Sequence, residues 1–264
     1  MNNKHALIIG GTRGIGRALV RMFSEQGLLV SVIGRRPASD TDRQVPCTHY
    51  WAVDLADNSS FLGTLAEIVS KNGKLTQLIF FQRFRGDGDS WTGEMQTSLT
   101  ATKIAINHLA EEFDGKPENS IAIVCSVASR FVADEQPVSY HVAKAGLVQM
   151  ARYYAVVLGA KGIRVNCVSP GIVLKDESKH FYLENQQLLD FYKKIIPRGR
   201  MGTAEEIANV IAFLCSPEAS IITGQEIIAD AGLSLQWHES LARRFTKLKN
   251  LEITRQFREK SKNE

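Results

Sequence analysis

The chain has 264 residues, enough for one large domain with a well-buried core. It is 44% hydrophobic and 23% charged, ordinary for a soluble globular protein. Its net charge of +4 sits at one end: from Glu239 onward eight Lys or Arg face four acids, and the remainder balances at 24 against 24. The body therefore offers no electrostatic case for nucleic acid, and no apolar run is long enough to span a membrane.

Short β-rich runs alternate with helical patterns, starting almost at once, which leaves no room for a signal peptide. The run "ALII" (6–9) leads into "GGTRGIG", where Gly10, Gly14 and Gly16 open a helix over 14–26. Glycines there permit a tight turn and bring backbone N–H groups to a pyrophosphate at a helix N-terminus. A bare glycine pattern is weak; the strand–turn–helix setting is what makes dinucleotide binding the expectation. The second run, "LLVSVI" (28–33), ends in Gly34, Arg35 and Arg36. NAD-binding folds usually carry an acid at this end, to hold a ribose hydroxyl. Here Arg35 and Arg36, with Arg13 from the glycine turn, suit a 2′-phosphate, so NADP(H) is expected over NAD(H). A solvated arginine loop is the plainer alternative.

The third run, "HYWAV" (49–53), leads to Asp54 and Leu55, and a helical pattern covers 58–71. "QLIFF" (77–81) precedes the arginine-bearing "QRFRGDGD" and a helical pattern over 92–112. Arg83 and Arg85 alternate with Phe84, so an extended chain points both the same way; pairing with Asp87 or Asp89 competes with binding an external anion. "SIAIVC" (120–125) ends at Ser126. On the next helix, 139–159, Tyr140 and Lys144 lie four residues apart and share a face. By itself that pair is also what a solvated helix face carries.

"IRVNCV" (163–168) leads to Pro170 and Gly171. The mixed segment 172–200, including Val173, suits a mobile lid. A helix over 204–215 and the strand "EIIA" (226–229) complete the alternation. Near-continuous apolar strands separated by helices imply a parallel sheet covered on both faces. The expectation is a single-domain α/β Rossmann-type doubly wound sheet of about seven strands over residues 1–235, with a basic helical tail at 236–264. In that tail Leu241, Phe245, Leu248 and Leu251 form one apolar stripe. Cys125, Cys167 and Cys215 sit in apolar runs and no CxxC occurs, so a reducing cytoplasm is expected and no metal site.

Taken in order, these marks resemble the short-chain dehydrogenase/reductase family over about residues 5–232: the turn Gly10–Gly16, "VDL" with Asp54, Ser126, Tyr140 and Lys144, "RVNCVSPG", and "RGRMGTAEEIANVIAFL…TGQEIIADAG". The resemblance implies Tyr140 as the acid in reduction and the base in oxidation, with Lys144 as a cation favouring the phenolate and holding the nicotinamide ribose. Ser126 would stabilise the developing oxyanion, with Ser129 as its fallback. Thr12, Ile15, Asp54, Leu55, Pro170, Gly171 and Val173 would complete the cofactor site.

Two departures stand out. "FFQR" (Phe80–Arg83) replaces the family's Asn-Asn-Ala-Gly, and Ser98 stands where the family has the relay asparagine. A serine can still bond water. The expected activity is NADP(H)-dependent hydride transfer between nicotinamide and the carbonyl or alcohol carbon of a small molecule, by a homo-oligomer (dimer or tetramer) like related proteins. The alternative is a non-catalytic NADP(H)-binding regulatory or structural protein on the same fold.

Overall fold

The computed structural model describes residues 4–246, so Leu248 and Leu251 of the tail stripe lie outside the described residues. Five-residue β1 (His5–Ile9) is followed by β2 (Leu29–Gly34), β3 (Thr48–Ala52), β4 (Gln77–Phe80), β5 (Ser120–Val124) and β6 (Arg164–Pro170). Two short strands, β7 (Val173–Leu174) and β8 (Gly202–Thr203), pair with each other, and β9 (Glu226–Ala229) returns to the main sheet. The seven-stranded sheet runs β3-β2-β1-β4-β5-β6-β9 with every pairing parallel. Chain order reverses between β1 and β4, the kind of place where open α/β sheets bind ligands at the carboxyl ends of their strands.

Helices α1 (Gly14–Glu25), α2 (Asp40–Arg43), α3 (Asn58–Asn72), α4 (Ser90–Glu94), α5 (Ala101–Leu109) and α6 (Val138–Gly159) fill the crossovers. They are followed by α7 (Asp176–Glu184), α8 (Gln186–Ile195), α9 (Ala204–Leu214) and α10 (His238–Thr246). Alternate strand side chains divide between two cores, as a period of two requires. Leu7, Ile9, Leu78, Phe80 and Ile123 pack with Phe61, Leu65, Ala105 and Leu147 of α3, α5 and α6. Ala6, Ile8, Ile79 and Ala122 pack instead with Leu19, Phe23, Ile207 and Ile211 of α1 and α9. Both faces being buried explains why these strands read as apolar runs rather than alternating ones.

Two regions differ from the sequence pattern. The expected helix over 92–112 runs without interruption from Ser90 to Leu109, but winds as a π-helix at Met95–Thr100 between α4 and α5. The segment 172–200 contains α7 and α8 with a small core of their own, in which Ile195, Ile196 and Met201 pack with Tyr182, Leu189 and Tyr192.

Candidate active site

The glycine turn leaves β1 against the chain leaving β4. Gly10 has φ +88°, and a Cβ there would lie 2.9 Å from the Gln82 nitrogen. A Cβ at Gly16 would lie 2.5 Å from the Gly10 carbonyl oxygen. Both positions exclude a side chain, and the cradle they form fits a group approached by backbone. Thr12 lies half-buried between them, Arg13 is the exposed residue before α1, and Ile15 is buried under it. The Gly14 N–H donates to Glu177 Oε1 of α7 at 3.0 Å, and Arg17 stands 3.7 Å from the same oxygen.

At the end of β2, a Cβ on Gly34 would meet Thr12 Cγ2 at 2.6 Å. The acid of NAD-binding folds has no room there while Thr12 keeps its place. Arg35 and Arg36 are exposed, and Arg35 donates to the Arg85 carbonyl at 3.2 Å. Asp54 is exposed and accepts from the Ala56 N–H, while Leu55 is buried. Pro170 is buried at the end of β6 and Val173 is buried on β7; Gly171 is packed so closely on Asp230 that a Cβ would lie 2.7 Å from the Asp230 Cβ.

The first two turns of α6 carry the Tyr–Lys pair. Lys144 is 3% exposed and its Nζ donates to the Val124 carbonyl at 3.0 Å. That ammonium lies 5.7 Å from the centre of the Tyr140 ring. Tyr140 is half-buried, and among the described residues its hydroxyl has no hydrogen-bond partner in the chain. The next residue, His141, accepts from the Ala133 N–H at 3.0 Å and bonds the Pro137 carbonyl. It therefore fixes the loop entering α6.

Ser126 follows β5 and is half-buried, its oxygen accepting from the Ala128 N–H at 3.2 Å. Ser129 is spoken for differently: its hydroxyl donates to Glu226 Oε1 at 2.9 Å. Glu226 also accepts from Ser169 and from a forked Arg130. These bonds outweigh burial and hold its carboxyl below the usual glutamate range. Glu226 thus pins the loop that presents Ser126. The signal for it was an acid at the head of the otherwise apolar strand "EIIA".

Ser98 is fully buried within the π-helical stretch, and its hydroxyl donates to Glu94 Oε2 at 2.7 Å. The same carboxylate accepts from the Phe84 N–H at 3.3 Å. The Ser98 carbonyl accepts from Thr102, whose hydroxyl oxygen accepts from Gln82 Nε2 at 2.8 Å. One polar chain therefore ties Gln82 and Phe84 to the π-helical stretch. Sequence reading singled out Ser98 but not Glu94 or Thr102.

Arg83 stacks on the tyrosine, its guanidinium carbon 4.6 Å from the Tyr140 ring centre. Cation–π contacts are favourable at such a separation. A cavity of about 670 Å³ lies beside the outer strand β3, lined by Trp51 and Glu67 and by none of Ser126, Tyr140 or Lys144.

Known proteins resemble this chain over most of its length. A family model described as enoyl-(acyl carrier protein) reductase matches residues 10–234. The 3-oxoacyl-[acyl-carrier-protein] reductase FabG of Chlamydia trachomatis is 28% identical, over 88% of this chain and 98% of its own. The mouse dehydrogenase/reductase SDR family member 4 is also 28% identical, over 88% of each chain. Among solved structures, a short-chain dehydrogenase/reductase from Serratia marcescens superposes with a TM-score of 0.76 at 26% identity, covering 88% of this chain and 98% of that one.

Proposed function

The chain belongs to the short-chain dehydrogenase/reductase family, and we propose that it is an NADP(H)-dependent oxidoreductase acting on a carbonyl or alcohol carbon of a small molecule. The observation that carries this reading is the pairing on α6: a tyrosine hydroxyl without a partner in the chain, beside a buried ammonium held on the Val124 carbonyl. The glycine cradle, Gly14 N–H, Arg13, Arg35 and Arg36 are the groups that would hold the dinucleotide. Asp54 and Leu55 would flank its adenine, with Pro170, Gly171 and Val173 at the nicotinamide. When bound, the nicotinamide supplies or takes up a hydride.

The chain's own part is proton transfer and charge. Tyr140 gives its proton to the carbonyl oxygen as alkoxide character develops there, and takes it back in oxidation. Lys144 favours the phenolate left behind, and so does the guanidinium of Arg83. Ser126, fixed by its own turn, offers a hydroxyl to the same oxygen. In this reading Ser98 serves through Glu94 rather than by direct contact. All four cysteines are free, with Cys47 exposed and Cys125, Cys167 and Cys215 buried. That supports residence in a reducing compartment such as the cytoplasm.

The segment Phe80–Arg83 favours a second reading, a non-catalytic NADP(H)-binding protein. One assay separates them. NADPH absorbance followed against a panel of ketones and keto-sugars should show turnover by the parent and a loss of at least 100-fold in Tyr140→Phe, with NADPH binding retained. No turnover across the panel, with tight NADPH binding, would favour the second reading. Parent-like turnover by Tyr140→Phe would remove Tyr140 from the chemistry.

A further inference from the structure

Three cations meet beside Tyr140. Arg83 lies on the tyrosine ring, Arg85 is two residues on, and Lys175 reaches in from the start of α7, its Cδ 3.1 Å from where a Gly14 Cβ would stand. Among the described residues none of the three has a carboxylate within ion-pair distance. The local alternatives fail on inspection. Asp89 spends its carboxylate capping α4, accepting from the Trp91 and Thr92 N–H groups. Arg83 reaches only the Gln136 amide oxygen, at 3.4 Å, and its buried Nε has no partner. Glu177 acts on both Arg85 and Lys175 from beyond ion-pair distance, its Oε1 accepting from the Gly14 N–H and facing Arg17.

The cations also burden one another. Arg85 is exposed, yet partial loss of water and then the charges of Arg83 and Arg13 pull it below the usual guanidinium range against the opposing charge of Glu177. Burial, and then Arg85 and Arg83, pull the Lys175 ammonium down likewise. Like charges gathered at one cleft repel, and Glu177 offsets that repulsion only in part until a further anion joins them. Sites of this kind are kept where the anion is a ligand.

We propose that Arg83, Arg85 and Lys175 form a binding site for an oxyanion group, phosphate or carboxylate, carried by the carbonyl substrate and held beside Tyr140. The inference rests on the reading of Tyr140 as proton donor and names the substrate class for that site. The geometry gives each cation a task. Arg85 and Lys175 grip the anion from the two sides of the cleft, one from the loop after β4 and one from the lid. Arg83 joins the anion to the tyrosine, so a correctly seated substrate places its carbonyl near the proton it needs. A neutral carbonyl compound would leave the three charges unmet and be discriminated against.

The test titrates inorganic phosphate into the NADPH-saturated protein by calorimetry, so that the cofactor's own phosphate positions are filled. The parent should bind phosphate, Arg85→Gln and Lys175→Gln should bind it at least tenfold more weakly, and Arg85→Lys should keep most of the affinity. No binding by the parent, or equal binding by all four proteins, overturns the proposal. So does a tenfold loss of NADPH affinity in Arg85→Gln with phosphate binding unchanged, which assigns the arginine to the cofactor. In kinetics, the ratio of kcat/KM for a phosphorylated ketone to that for its unphosphorylated counterpart should fall at least tenfold in Arg85→Gln. Because the phosphate titration needs no turnover, failure of the hydride-transfer reading would leave it interpretable on its own.

Discussion

At the scale of single side chains, Thr12 and Gly34 bear on the choice of cofactor. With Thr12 Cγ2 only 2.6 Å from where a Gly34 Cβ would be, a side chain there is disfavoured while Thr12 keeps its place. The arginines that follow are exposed, with no carboxylate in ion-pair distance among the described residues. Arg35→Asp should weaken NADPH by about 1.5–3 kcal/mol, the worth of a hydrogen bond to a charged group, and leave NADH nearly unchanged or improved. Equal losses for both dinucleotides in a fluorescence titration would sink the assignment. Arg35 also donates to the Arg85 carbonyl, so the same variant should loosen the loop after β4 and raise KM for the substrate as well.

Elements were legible where periodicity and glycine acted alone, and obscure where long-range bonds decided. The four central strands β1, β4, β5 and β6 followed from apolar runs because each is buried on both faces, whereas the outer strands β3 and β9 are only partly covered. The π-helical winding inside the 92–112 helix did not follow: no proline or glycine marks Met95–Thr100, and a chain of buried hydrogen bonds from Gln82 through Thr102 and Ser98 to Glu94 accompanies it. The two helices of the lid were not resolved from its mixed sequence because the small core beneath α8 draws on residues far apart in sequence, from Ile172 to Leu241. Its most consequential contact was also invisible. Glu177 occupies the Gly14 N–H at the start of α1, the donor that a glycine turn of this kind offers to a pyrophosphate. Cofactor and lid then compete for one N–H. Glu177→Gln exchanges a charged acceptor for a neutral one, worth roughly 1 kcal/mol, so NADPH should bind about fivefold more tightly. An unchanged dissociation constant would mean that the lid moves away at no cost.

For the molecule as a whole, α6 has two duties. Its inner face carries Lys144, Leu147 and Ala151 into the core, and its outer face leaves Val138, Val142, Tyr153, Val156 and Val157 exposed, Val156 at 83%. Those five recur at spacings of three, four and eleven residues, so they lie on one stripe of a helix roughly 30 Å long. A stable association buries about 800 Å² on each partner, which such a stripe with its neighbours can supply. A second copy of this chain is the expected occupant, since a stripe along a helix can meet itself across a two-fold axis. The sequence could not show this, because the apolar period of α6 looks continuous and only the packing tells which side faces the sheet. Sedimentation of the parent should give at least a dimer, and Val156→Glu should shift it toward monomer, because two carboxylates would be brought into one apolar contact. As α6 also positions Tyr140 and Lys144, the monomer should lose turnover more than NADPH affinity. A parent that sediments as a monomer at all concentrations would leave the stripe without its partner and the coupling without a basis.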